Sequence, residues 1–377
     1  MTIGSRLKLA RARKQMSMRS LAKQAGISAM SVSKFERDEM MPRQSTLLNI
    51  AKALTVQPEF FFREIKVETL EPAYRKRSKL TKRAQKAIEA EVLDHLERYL
   101  TIEQILQLHD TDTPSFPRFA IHDLEEIEAI SETLRHQWDL GLGPINSLAA
   151  RLEDHGVKII ALYDHEGFDG FSCWANKKVP VIVFNQDLPG DRQRFTIAHE
   201  LGHLVLSATD DLDQEEANRF AAAFLVPRTA AIAKLGRSRS NLDFGELRIL
   251  KREFGVSIQA WVRRAYDLGI ITSSTYQRSF RRIGALGWRT SEPEDLPPVH
   301  PQRFELLVHQ ALAEELITPS YASLLMGDTT AYGYRSRQAT APELSQVAER
   351  LAELYETDPE LIEFAEADLL DVTTEDP

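Results

Sequence analysis

The chain has 377 residues, 43% hydrophobic and 27% charged, with a formal net charge of −9; this is the composition of a globular protein with enough chain for two or three domains, and it excludes a fibrous or disordered one. The lone cysteine, Cys173, excludes an internal disulfide framework. No run reaches the ~20 apolar residues of a membrane span, and the basic N-terminus lacks the apolar stretch of a signal peptide, so the expected location is the cytoplasm, with no membrane partner.

Charge is unevenly spread. Residues 1–62 hold eleven Lys/Arg against four Asp/Glu, a balance of +7, which leaves −16 on the remainder. A positive head on an acidic body is the electrostatic footprint of a nucleic-acid module joined to something else. The head, over 1–65, reads as short helices with short breaks. Leu7, Leu9 and Ala10 begin an amphipathic run, and Ser17 stands as an N-cap before Leu21, Ala22 and Ala25. Gly26 breaks that helix and Ser28 caps a second one over 29–37. Pro42 stops the chain, and Leu47, Leu48, Ile50, Ala51 and Leu54 make a further apolar face. Helix, Gly-containing turn, helix is a helix-turn-helix unit, whose second helix enters the major groove. Ala29, Met30, Ser31, Ser33, Lys34 and Arg37 are expected to face outward, beside the cap Ser28, with Val32 and Phe35 inward. Arg19, Lys23 and Arg43 are placed to hold phosphates, which position the head without reading sequence.

The run "SLAKQAGISAMSVSKFERDEMMPRQSTLLNIAKAL" resembles the phage-repressor (Cro/C1, or XRE) helix-turn-helix family. The resemblance implies a five-helix domain that binds operator DNA, usually as a homodimer. That family often has Gln at the start of its second helix, on the DNA; here Met18 stands near that place, which bears on base preference.

A connector is expected over 66–140. It opens on a basic run over 75–86, which is a second phosphate contact or a solvated helix face. Ile88, Val92, Leu93, Leu96, Leu100 and Ile105 then recur at near-helical spacing. "HDTDTPSFPRF" reads as a linker, and "LEEIEAISETLRHQWDLG" as a helix ending near Gly141.

The body, over 141–230, predicts a helix over 145–153 and strands over 157–162, 168–174 and 179–184. A helix over 194–206 and another beyond it complete an α+β order. The penultimate helix carries His199-Glu200-Leu201-Gly202-His203. Residues four apart share a helix face, so the two imidazoles point to one place. Glu200, one residue on, is suited to hold a water. Two His and a carboxylate with an open fourth position is the catalytic zinc arrangement, in which the carboxylate of the motif takes the water's proton and passes it to the leaving amine. Two surface histidines on a helix is the competing reading, but the flanks "FTIA" and "LVL" are apolar and bury the helix. Cys173, on a strand without a visible His partner, reads as inert filler. The strand that carries it reads as an edge able to align an extended peptide.

"RQRFTIAHELGHLVL" followed by "EEANRFAAAFLVPR" closely resembles the ImmA/IrrE-type metallopeptidases. "WDLGLGPINSLAARLEDHGVKII", "FDGFS" and "VPVIVFNQDLPGDRQRF" extend the match upstream, and "LKREFGVSIQAWVRRAYDLGIITSSTY" continues it downstream. The resemblance implies a zincin-like fold, Zn2+ held by His199 and His203, and Glu200 as general base. In that family the third ligand is usually a Glu four residues before the Asn or Asp of the next helix. Here the Asn is Asn218, which would orient a ligand His, and four back is Gln214. The nearby carboxylates are Glu215 and Glu216. Glu215, three residues before Asn218, is the expected third ligand, with Glu216 and Gln214 the alternatives. The family's peptidase cleaves a helix-turn-helix repressor and relieves repression after stress or mobile-element induction. The substrate implied here is such a repressor, or the chain itself. The other reading is a non-proteolytic DNA-binding regulator whose zincin domain is a sensor or scaffold.

The remainder reads as a helix-turn-helix-like extension over 231–290, more in support of the peptidase than on DNA, and a helical C-terminal region over 291–377 whose tail is acidic. The expected fold is therefore multidomain and mainly α: a five-helix head, an α+β zincin-like peptidase domain, and helices after it.

Overall fold

The computed structural model describes residues 2–63, 66–67, 70, 80–108, 116–208 and 214–327. The basic run is outside them as far as residue 79, the linker over 109–115, and the acidic tail over 343–370 wholly. The molecule is multidomain and mainly α. It divides into two compact units: Met1–Lys66 with Thr81–Glu97 and Leu312–Pro377, and Val67–Leu80 with Arg98–Ala311.

In the first unit, α1 (Ile3–Arg13), α2 (Met18–Ala25), α3 (Ala29–Glu36) and α4 (Gln44–Leu54) are followed by a 3-10 turn over Pro58–Phe62, the fifth helical element. Leu7, Leu21, Val32, Phe35, Leu47, Ile50, Leu54 and Phe60 close on one another as its core. The caps expected at Ser17 and Ser28 are present, accepting from the backbone N–H of Ser20 and Ser31. Gly26 turns the chain between them at φ 71°, a left-handed conformation that costs glycine nothing. The buried Arg6 guanidinium donates to the Arg63 carbonyl and pairs with Glu97, while Arg13 and Arg63 both meet Asp94. Glu97 and Asp94 lie on α5 (Lys82–Ile105), whose residues from Arg98 onward belong to the second unit.

The second unit contains β1 (Phe119–Ile121), α6 (Glu126–Gln137), α7 (Leu148–Asp154), β2 (Lys158–Leu162), β3 (Gly170–Ala175) and β4 (Val179–Asn185). After them come α8 (Gly190–Val205), β5 (Leu206–Ala208), α9 (Gln214–Leu225), α10 (Arg228–Leu235), α11 (Phe244–Phe254), α12 (Ile258–Asp267) and α13 (Ser273–Ala285). Two more helices, α14 (Arg303–Ala313) and α15 (Pro319–Met326), follow in the chain.

The sheet runs β2-β4-β3. The β2–β4 pair is parallel, with Ile160 opposite Val183, and β3–β4 is antiparallel, with Ser172 opposite Ile182. β4 is thus central and β3 lies outside it. Leu70 makes an isolated antiparallel bridge to Ala175, the last residue of β3. Every residue of β2 is buried, as expected of a parallel strand covered on both faces. A second, two-stranded sheet pairs β1 with β5 in parallel.

Three boundaries differ from the sequence reading. α8 begins at Gly190, a turn before 194, because Pro189 at the N-cap leaves the helix no N–H to lose and Asp191 lies in its first turn. α7 begins at Leu148, since Ser147 adopts a left-handed φ of 49°. α6, expected in a connector, belongs to the body: Ile127 and Leu134 are fully buried in the same core as Leu201, Phe220 and Trp261.

Candidate metal centre and nucleic-acid interface

α8 carries three consequences of its sequence. Ile197, Ala198, Leu201, Leu204 and Val205 bury one side in the core. His199 and His203, four apart, are half-buried on another side, with their Nε2 atoms 3.2 Å apart. Glu200 turns toward the sheet, where the Ser172 hydroxyl donates to its Oε2 at 2.8 Å. Gly170, two residues before Ser172, makes this approach possible: a Cβ there would stand 2.5 Å from Thr196 Cγ2 and 2.8 Å from the Val183 carbonyl oxygen. β3 and α8 could not lie so close with any other residue.

The electrostatics follow from burial. The Glu200 carboxyl is pushed up to about 7 by burial, against the pull of its Ser172 hydrogen bonds. Burial also holds His199 below the usual imidazole range, and takes His203 down to about 4 with the help of the neighbouring His199. A neutral imidazole offers one lone pair to an ion. The Asn218 Oδ1 sits 2.9 Å from His199 Nδ1. With that nitrogen donating to the amide oxygen, the His199 lone pair is on Nε2, the atom facing His203.

At 3.2 Å the two Nε2 atoms are at hydrogen-bond distance if His203 carries its proton there, and with the other tautomer both lone pairs converge on one point where a cation would sit. Bonds of about 2.0–2.1 Å to a tetrahedral ion would set two imidazole nitrogens roughly 3.3–3.4 Å apart. The pair therefore fits zinc. Its third neighbour departs from expectation. Glu215, the carboxylate anticipated there, points into solvent, with a side chain 63% exposed and 3.5 Å from the Arg263 guanidinium. Gln214 is the residue beside the rings, its Nε2 3.3 Å from His203 Nε2. The reason is helical phase: Gln214 and Asn218 are four apart and share a face of α9, and Glu215 is a hundred degrees round it. Glu216 is half-buried. Among the described residues, no group of three His, Cys, Asp or Glu side chains comes together to hold a metal.

Ser172 was missed in the sequence. Its signal was the alternation of β3, which puts Gly170, Ser172 and Trp174 on one face, with two small residues where α8 must come close. Cys173 points the other way and is buried; burial and the charge of Glu200 push its thiol up to about 12, which leaves no thiolate to react.

On the head, Arg19, Lys23, Ser28, Met30, Lys34, Arg37 and Arg43 are exposed, and Ser31 and Ser33 half-exposed, while Val32 and Phe35 are buried, as their spacing required. Met30 is 63% exposed, the most prominent apolar group on α3. Ser28 is committed to its cap and to the Ser31 hydroxyl. Arg37 lies against Glu39 at 3.1 Å and donates to the Ser33 carbonyl, so it reaches outward only by leaving them.

The extension repeats the local code of the head. α11 ends in Gly255 at φ 68°, and Ser257 caps α12 by accepting from the Ala260 N–H. Its second helix is nevertheless enclosed. Trp261, Val262 and Ala265 are fully buried. Arg264 forks onto Glu128, and the Glu292 carboxylate accepts from the Ile258 and Gln259 N–H groups at the start of α12. Glu292 also meets the buried Lys251, which is 2.9 Å from Asp191 of α8.

Comparison with known proteins agrees with this division. A family model described as helix-turn-helix matches residues 7–61, and one described as the IrrE N-terminal-like domain matches 152–266. No curated protein matches the chain. Among solved structures, the DNA-binding domain of the P22 C2 repressor is 28% identical over 18% of this chain and 91% of its own, at a TM-score of 0.17. The apo form of ComR from S. Thermophilus is 15% identical over 93% of this chain and 98% of its own, at a TM-score of 0.16. Neither superposition is close enough to bear on the fold. Among the described residues no helix is long and apolar enough to cross a membrane. The chain carries a DNA-binding helix-turn-helix domain of XRE type and, further along, an IrrE N-terminal-like domain of the M78 metallopeptidases.

Proposed function

We propose that the protein is a cytoplasmic transcriptional regulator whose second unit is a zinc-dependent endopeptidase. The observation that carries this reading is the pair of imidazoles converging at 3.2 Å with a buried carboxylate, Glu200, next to one of them. His199 and His203 would hold the metal, with Asn218 fixing the His199 ring. Bound zinc supplies a polarised water near neutral pH. Glu200, oriented by Ser172, would act as the general base, accepting a proton and returning it to the leaving amine. Beside them, β3 offers an extended peptide a strand to align against. The substrate is a helix-turn-helix repressor, cleaved under stress or mobile-element induction, and the head brings the peptidase to operator DNA as a homodimer. The bridge between Leu70 and β3 shows that a segment of this same chain reaches that strand, which favours the chain itself as a second substrate. The test is incubation of the zinc-loaded protein with a repressor encoded beside it. Cleavage by wild type and none by Glu200→Gln is expected; equal behaviour of the two rules proteolysis out. Gln214 favours the second reading, a regulator in which the zincin unit senses rather than cuts, and the same experiment separates the two.

A further inference from the structure

Resting on the zinc-site reading above, we infer that Gln214 is the third protein ligand and that this makes a ligand set with no charge, which takes up zinc loosely and reversibly. An imidazole ligates an ion as the neutral ring, and the group that stands with the two histidines is an amide: Gln214 Nε2 is 3.3 Å from His203 Nε2. A half-turn about the last side-chain bond exchanges the amide's nitrogen and oxygen, so the same side chain presents an oxygen to an ion at that place. Among the described residues no carboxylate joins the two rings. Glu200 is turned to Ser172, and Glu215 is directed to Arg263. No third His, Cys, Asp or Glu joins the pair among the described residues.

The physical consequence is in the charge. A carboxylate in the third place would cancel half of the ion's double charge and displace one hydration water with a strong donor. An amide oxygen is a neutral and weaker donor, so the ion keeps its full charge in a half-buried site. Changes outside the ligand shell already alter metal affinity by about 10–100-fold, and a change of ligand charge exceeds them. Occupancy of this centre therefore follows the free zinc concentration instead of being permanent, and the metal is an input to whatever the second unit does.

The test is competition between the full-length protein and a chromophoric zinc chelator, with wild type, Gln214→Glu, Gln214→Ala, Glu215→Gln and His199→Ala. One zinc per wild-type chain is expected. Gln214→Glu should bind at least about 100-fold tighter, Gln214→Ala several-fold weaker, and Glu215→Gln like wild type. Cobalt(II) gives an independent readout: its visible bands should shift in Gln214→Glu and stay in place in Glu215→Gln. If Gln214→Glu binds no tighter than wild type, or if Glu215→Gln loses affinity, the assignment of Gln214 is overturned while the zinc site stands. If neither wild type nor Gln214→Glu takes up zinc, or His199→Ala takes it up unchanged, the zinc-site reading itself has failed.

Discussion

The helix pairs α2–α3 and α11–α12 are built on one local plan. Each has a left-handed glycine, a β-branched residue and a capping serine: Gly26-Ile27-Ser28 in one, Gly255-Val256-Ser257 in the other. Their surroundings differ. α3 keeps Met30, Lys34 and Arg37 exposed, and its first N–H groups are met only by its own cap. α12 has its first N–H groups taken by Glu292, its centre filled by Trp261 and its charged residue Arg264 buried on Glu128. The same turn thus leaves a helix exposed in one place and wedges a helix into a core in the other. What separates a reading helix from a packing helix is what the rest of the chain puts over it.

The comparison breaks most readily at Glu128. Its two carboxylate oxygens take both ends of the Arg264 fork, and Arg219 adds a third contact. Removing one partner of a buried pair strands the other, at a cost of about 3–5 kcal/mol. Glu128→Ala should therefore lower the unfolding midpoint of the second unit by the largest margin of any single change considered. All four tryptophans, Trp138, Trp174, Trp261 and Trp288, lie in that unit, so their fluorescence in a urea titration reports on it alone. The pH dependence has a definite sign. Burial raises the Glu128 carboxyl, but the Arg264 hydrogen bonds and the charges of Arg264, Arg219 and Arg228 outweigh it and hold the group below the usual carboxylate range. Its contribution is present above the unfolded value near 4.5 and is lost as pH falls through the folded one. Wild type should lose stability on acidification below that value, and Glu128→Gln should show a shallower loss over the same window. An equal slope in both would mean that this pair does not anchor α6 to α12.

Glu292 comes next. It satisfies two amides at the α12 N-terminus and one ammonium, Lys251. Hydrogen bonds to a charged group are worth roughly 1.5–3 kcal/mol each in mutational series. Glu292→Gln retains an acceptor and loses the charge, and should cost about 2 kcal/mol in the same titration. Glu294→Gln, at an exposed ion pair two residues on, should leave the midpoint in place. If the two behave alike, the plug on α12 is not what holds it.

Much of this was legible in the sequence, and the failures have a common cause. The head could be read because its information is local: serine caps, a glycine turn and apolar residues at helical spacing. The same holds for His199, Glu200 and His203, which one helix brings together. Sequence spacing favours Glu215 for the place beside the rings, whereas Gln214 stands there, because three- and four-residue spacings lie close on a helix and only the pitch of α9 against α8 decides which side chain faces His203. Ser172 reaches Glu200 across 28 residues of sequence, and Arg264 reaches Glu128 across 136. Contacts at such separations are set by packing, which periodicity does not encode. α6 was assigned to a connector for the same reason, since its buried face is apparent only once α9 and α12 lie against it.

The capping serines give a matched pair for the next smaller effect. Ser28 and Ser257 each accept one N–H three residues on, at 3.0 and 3.1 Å. Replacing either by alanine should cost about 1 kcal/mol of its own unit's stability. Only Ser28→Ala should also weaken DNA binding, measured by mobility shift. A loss of DNA affinity in Ser257→Ala would mean that α12 takes part in binding after all.

The smallest effect on stability should come from α3 itself, and it is the most informative about function. Met30 and Lys34 are exposed, and surface changes of this kind stay within about 0.5 kcal/mol. Met30→Ala and Lys34→Ala should leave the helical signal of the head and its unfolding unchanged while lowering affinity for DNA. Arg19→Ala, Lys23→Ala and Arg43→Ala should act differently from both. A residue on a phosphate releases counterions when it binds, so its loss lowers the slope of log affinity against log salt by about one for every sequence tested. A residue that meets base edges changes the ranking of sequences and leaves the slope nearly intact. Titrating salt for each variant on two unrelated duplexes sorts α3 from its flanks on this criterion. If Met30→Ala and Lys34→Ala alter neither the ranking nor the affinity, α3 is no more a reading helix than α12.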